Sequence, residues 1–144
     1  MKIRTSVIAT AIAVSGLTLA LNAAAMPASH VPATHKEGQL TYIMGGVGQT
    51  EADAIKHVAK YYPLELEFLL KARPKDEYLS DVTVRIKDAH DRMVLNVKAD
   101  GPFLLAKMPA GKYTVSAERN HKVEHRQIDI VAKDHRRVVF EWLS

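Results

Sequence analysis

The chain has 144 residues, with 20 Lys and Arg against 16 Asp and Glu, 47% apolar residues and no cysteine. This length and apolar content support one domain with its own core, and the absence of cysteine excludes disulfides, a thiol nucleophile and thiolate metal sites. No run of Lys and Arg interleaved with aromatics occurs, so nothing in the charge pattern calls for a nucleic-acid partner.

Residues 1–25 begin with Lys2 and Arg4, continue through an apolar, acid-free stretch from Val7 to Leu21, and end on Ala23-Ala24-Ala25. That order is the pattern of a cleaved secretory signal peptide. Ser6, Thr10, Ser15, Gly16 and Thr18 interrupt the apolar stretch, which argues for cleavage and against a permanent membrane anchor. Processing after Ala25 leaves 119 residues carrying 18 basic and 16 acidic side chains, a nearly balanced chain destined for the periplasm or for secretion.

Residues 26–38 are rich in Pro, Ala and polar residues without a hydrophobic period, and are expected to be a flexible tail. Residues 39–63 read as a short strand at Leu40–Met44, a Gly45-Gly46-Val47-Gly48 turn and a helix from about Glu51 to Tyr61. Thr50 and Asp53 stand at the spacing of a capping box. Ile55, Val58, Ala59 and Tyr62 form one apolar stripe at helical period, and Pro63 stops the helix. The stripe predicts a helix packed on the rest of the domain, closing one end or face of it.

From Leu64 the period changes from 3.6 to 2. Leu64, Leu66, Phe68 and Leu70 alternate with Glu65, Glu67 and Lys71, and burying those four apolar side chains contributes about 6–12 kcal/mol before entropy. A charged loop with Pro74 follows over Ala72–Glu77. Strands are then predicted around Val82–Ile86, Met93–Val97, Phe103–Ala106, Tyr113–Ala117, Val123–Val131 and Val138–Trp142. The turns between them carry Asp88-Ala89-His90-Asp91, Asp100-Gly101-Pro102, Met108-Pro109-Ala110-Gly111, Asn120-His121 and Lys133-Asp134-His135. Residues 64–144 therefore read as a mainly β, seven-stranded sandwich with one N-terminal helix before it.

Three segments carry a family likeness: Val82-Thr83-Val84-Arg85-Ile86-Lys87-Asp88, Asp100-Gly101-Pro102-Phe103-Leu104-Leu105, and Met108-Pro109-Ala110-Gly111-Lys112-Tyr113-Thr114-Val115. Together they resemble the carboxypeptidase regulatory-like domain, a prealbumin-like (transthyretin-like) Greek-key sandwich, over roughly residues 78 to 142. The resemblance implies a structural or binding module rather than a catalyst. With the glycine turn and helix included, the chain is similar to small exported proteins of Gram-negative bacteria. Transthyretin-like sandwiches also include hydroxyisourate hydrolases, whose terminal Tyr-Arg-Gly-Ser motif is replaced here by Phe140-Glu141-Trp142-Leu143-Ser144.

Individual residues add little chemistry. The glycine turn stands before a helix, where free N–H groups can hold an anion, but it lacks the Lys of a phosphate loop, and Glu51 and Asp53 oppose phosphate. It reads as a tight turn at positive φ. His121 and His125 offer a metal alternative, yet residues four apart on a strand are about 13 Å apart and would need further ligands. Glu65 and Glu67 read as the solvent face of a strand, and Tyr113 as a corner residue whose hydroxyl bonds backbone. No catalytic residue and no cofactor is assigned. The leading expectation is a non-enzymatic exported module contacting a protein or polymer of the cell envelope through loop residues Lys75, Asp76, Glu77 and His90, or through an unpaired edge strand. A His-dependent periplasmic metal-binding protein is the alternative, and a hydrolase relative without its motif the third reading.

Overall fold

Glycine at 45, 46 and 48 lets the chain leave a strand and enter a helix within three residues, with φ of 151°, 96° and 85°. In the computed structural model, which describes residues 30–144, this turn links β1 (His35–Glu37) and β2 (Leu40–Gly45) to α1 (Gln49–Val58). One 3-10 turn, Ala59–Tyr61, extends the helix up to Pro63. The strands β3 (Leu64–Lys71), β4 (Glu77–Tyr78), β5 (Val82–Lys87), β6 (Met93–Ala99), β7 (Phe103–Lys107), β8 (Gly111–Arg119), β9 (Lys122–Ile130) and β10 (Arg136–Leu143) follow. The described residues are thus mainly β, with two sheets and one helix.

The helix begins two residues before the sequence expectation, and no capping box forms. Gly48 is the N-cap, without a side-chain cap bond, and Gln49 Nε2 donates to Asp53 Oδ1 at 2.7 Å. Glu51 instead turns back and accepts the Gly46 N–H at 2.7 Å. The open N–H of the glycine turn is therefore satisfied by the chain's own carboxylate, as a structural turn requires.

The first sheet runs β1-β2-β7-β3-β10, with β4 also on β3; the second runs β6-β5-β8-β9. β10 pairs β3 in parallel, from Arg136 opposite Leu64 to Leu143 opposite Lys71, and every other pair is antiparallel. The strands alternate, so each sheet turns one apolar row inward: Leu66, Phe68 and Phe140 from the first meet Val84, Leu95 and Val115 from the second, all at 0% exposure. Eight strands, not seven, follow Leu64. The additional one, β4, pairs with Leu69 and Leu70, beyond the point where β7 stops pairing with β3 at Glu67. The Lys71–Asp76 ion pair at 2.9 Å folds the intervening loop back so that this pairing can form. Order also begins before Gln39: His35–Glu37, inside the stretch expected as a tail, pairs β2, and His35 stacks on Tyr42.

The helix covers the outer face of the first sheet. Ala52, Ile55 and Ala59 pack with Ile43, Phe103 and Leu105 into a second apolar cluster, and Val58 and Tyr62 border it. The apolar stripe thus buries as its period implies. This cover overturns one expectation. Glu65 and Glu67 are not on a solvent face; they are 6% and 4% exposed. β3 is central in a sheet covered on both sides, so both of its faces are interior, and the carboxylates persist there because cations reach them. Arg137 of β10 donates from Nε to Glu67 Oε2 at 2.9 Å and bonds it again through a second guanidinium nitrogen. His135 Nε2 lies 2.8 Å from Glu65 Oε2, while its Nδ1 meets the Tyr62 carbonyl at 2.7 Å. The predicted leader lies outside the described residues.

Candidate functional site

Strand directions gather five connections at one end of the sandwich: the β1–β2 turn, the joint of α1 with β3, and the β5–β6, β7–β8 and β9–β10 turns. The Met108-Pro109-Ala110 corner stands in the middle. It is held by Tyr113, whose ring is 8% exposed and whose hydroxyl donates to the Pro109 carbonyl at 2.7 Å. Burial pushes the Tyr113 phenol above its ordinary value, and the negative charge of Asp88 adds to the effect. Tyr113 is therefore a neutral corner post, as its place in the sequence implies.

A cleft opens on each side of this corner. The first, about 540 Å³, has Leu40, Met93, Val94 and Met108 as apolar walls and Glu37, Gln39, Asp88 and Arg92 around them. Asp88 shapes its rim: its Oδ1 accepts the N–H of His90 at 2.9 Å and of Arg92 at 3.0 Å, and its Oδ2 accepts Arg92 Nε at 3.0 Å. The Arg92 N–H, then the His90 N–H and the Arg92 side chain, hold the Asp88 carboxyl below its ordinary value against the opposing effect of desolvation. The second cleft, also about 540 Å³, lies between the 3-10 turn, the corner and the β9–β10 loop. Tyr61, Tyr62, Ile130 and Val131 give it apolar surface, and Lys60, Lys107 and Lys133 ring it. Lys60 Nζ lies 5.1 Å from the Tyr61 ring centroid and Lys107 Nζ 4.8 Å from that of Tyr62. Volumes of this size suit small ligands or the side chains of a larger one.

The residues singled out in the sequence do not converge. Lys75 and Asp76, between β3 and β4, and Glu77, which opens β4, lie at the opposite end of the sandwich from His90. Asp76 is engaged by Lys71, whose hydrogen bond holds the Asp76 carboxyl low, while Asp76 and then Glu141 raise the Lys71 ammonium. Glu77 belongs to β4. His90 is exposed on the β5–β6 turn beside the first cleft. His121 occupies the β8–β9 turn at φ 62°, whereas His125 sits in β9 with Nδ1 2.9 Å from Ser116 Oγ. Among the described residues no group of three or more His, Cys, Asp or Glu side chains is placed to hold a metal ion. The Ser116–His125 pair lies on the outer face of the second sheet, away from either cleft, and no carboxylate orients its imidazole among the described residues; it is a cross-strand polar contact.

Two groupings went unnoticed in the sequence: Glu65 and Glu67 with His135 and Arg137, and Lys60 with Tyr61, Lys107 and Lys133. Each joins residues far apart in the chain, and only the parallel β3–β10 pairing and the convergence of turns bring them together. Compared with protein-family models and with curated proteins, the chain matches none.

Proposed function

We propose that the chain is a non-enzymatic, exported binding module of the prealbumin-like Greek-key type, which contacts a protein or polymer of the cell envelope. The observation that carries this reading is the pair of clefts flanking the Met108-Pro109 corner, formed by turns that a rigid two-sheet scaffold holds in place. The groups nearest to catalytic chemistry are already engaged: Glu65 and Glu67 are ion-paired, and the Tyr113 hydroxyl is bonded to backbone. Partner contact is assigned to the end that carries His90 and the corner, and the Lys75–Glu77 loop serves as the comparison surface.

The test expresses the full chain with its own leader in Gram-negative cells. A processed protein in the periplasm or medium, with its N-terminus near Met26, is the expected product, and an intact Met1 in the membrane fraction contradicts export in soluble form. Capture from envelope extract is then compared for the wild type, Ala110→Trp at the exposed corner, and a Lys75→Glu/Glu77→Lys variant at the opposite end. Loss of a specific partner with Ala110→Trp alone supports the assignment. Capture that is indifferent to Ala110→Trp removes it.

A further inference from the structure

We propose that the lysine-rimmed cleft between the 3-10 turn, the corner and the β9–β10 loop binds an acidic oligosaccharide, its sugar ring against Tyr61 and its carboxylates on Lys60, Lys107 and Lys133. The proposal rests on the binding-module reading and names the ligand class for one of its clefts.

The charge at this cleft is predominantly positive, with Lys60, Lys107 and Lys133 against the single carboxylate of Asp134. Among the described residues, none of Lys60, Lys107 and Lys133 forms an ion pair, although ten such pairs form elsewhere. Two of the ammonium groups rest over tyrosine rings, which holds them beside the opening instead of letting them sweep through solvent. Three cations against one carboxylate around a single concavity leave a net positive potential that favours an anion there. Apolar surface is exposed at the same place: Tyr61 is 63% exposed and Val131 55%. A ligand that is only an anion leaves that surface wet, whereas a sugar acid presents C–H faces to an aromatic ring and carboxylates to lysines.

Asp134, which also lines the cleft, separates this ligand from other anions. Its carboxylate opposes every anion, the uronate included, but a sugar acid also carries hydroxyls that donate hydrogen bonds to it, and polyphosphate has none. The shape argues against single-stranded nucleic acid as well. That ligand needs a basic groove that tracks its backbone over several nucleotides, and this cleft is bounded on three sides.

The experiment titrates mature protein with trigalacturonate by calorimetry at low ionic strength. Neutral maltotriose, inorganic polyphosphate and a short single-stranded oligonucleotide serve as comparisons. Saturable binding of trigalacturonate is expected, weakened by added salt and at least about tenfold tighter than maltotriose. Lys107→Gln combined with Lys133→Gln should weaken it about tenfold or more, and Tyr61→Ala several-fold, with an unchanged melting temperature because all three side chains are exposed. Equal affinity in the double lysine variant, equal affinity for maltotriose, or tighter binding of polyphosphate or oligonucleotide than of the uronate overturns the inference. The two failures are distinguishable. If trigalacturonate does not bind while Ala110→Trp still abolishes envelope capture, only the sugar assignment falls; if capture ignores Ala110→Trp, the binding-module reading falls.

Discussion

Asp88 organises the β5–β6 turn through three hydrogen bonds, and its lowered carboxyl value ties that turn to pH. A group whose folded value is depressed stabilises fully above its ordinary value, here 3.8, and loses that contribution as pH falls through the folded value. Asp88→Asn should therefore lower the melting temperature at neutral pH and flatten the acid side of the stability profile, as seen in thermal melts from pH 7 down to about 2. An unchanged acid limb would show that the turn is not coupled to the fold. Gly101 offers a steric test that does not depend on charge. A Cβ there would collide with the backbone carbonyl of Gly45, across the close approach of the β6–β7 and β2–α1 turns. Gly101→Ala should cost about 2 kcal/mol or more in urea unfolding, since backbone rather than a flexible side chain must move. Tyr113 shows how far a single residue was legible. Its alternation and the neighbouring Pro109 pointed to a corner, and its buried ring bonded to the Pro109 carbonyl is that corner.

At the scale of elements, α1 converts one face of a two-sheet sandwich into a second interior. Ile55 is the fully buried residue of the helix in its cluster with Ile43, Phe103 and Leu105, and Ile55→Ala should destabilise by about 2–5 kcal/mol. β10 and the loop residue just before it make the complementary contribution from the sheet edge, β10 delivering Arg137 to Glu67 and the loop delivering His135 to Glu65. Removing Arg137 leaves a buried carboxylate without its cation. Arg137→Ala should then cost about 3 kcal/mol, the low end for such a loss because the guanidinium is itself half-exposed, and Glu67→Gln in the same chain should restore part of it. Additive losses in the two single variants and the double variant would deny the coupling. The alternation of β3 was readable, but its second buried face was not, because alternation records which residues share a face and not what later covers it.

Across the whole molecule, the two sheets meet along the side where β9 and β10 are the outer strands. Trp142 Nε1 bridges this seam to the Lys122 carbonyl at 3.4 Å, and the Arg126 guanidinium lies 5.3 Å from the Phe140 ring centroid. A cation facing the gap between two edge strands discourages another strand from adding there. Arg126→Val should shift the size distribution upward in size-exclusion chromatography with light scattering; an unchanged profile would place the protection elsewhere.

Local pattern alone determined the β character of the chain, the helix and its apolar stripe, the glycine turn at positive φ, and the places of the turns after β5, β6, β7, β8 and β9. These depend on residues within a few positions of one another, where dihedral preference and side-chain period act directly. Tertiary structure alone decided that Glu65 and Glu67 are buried, that His90 and Lys75–Glu77 lie at opposite ends, and that Lys60, Lys107 and Lys133 share one cleft. The parallel pairing of β3 with the distant β10 and the docking of α1 set those neighbours, and local periodicity carries no record of which distant strand will lie alongside or which helix will cover it.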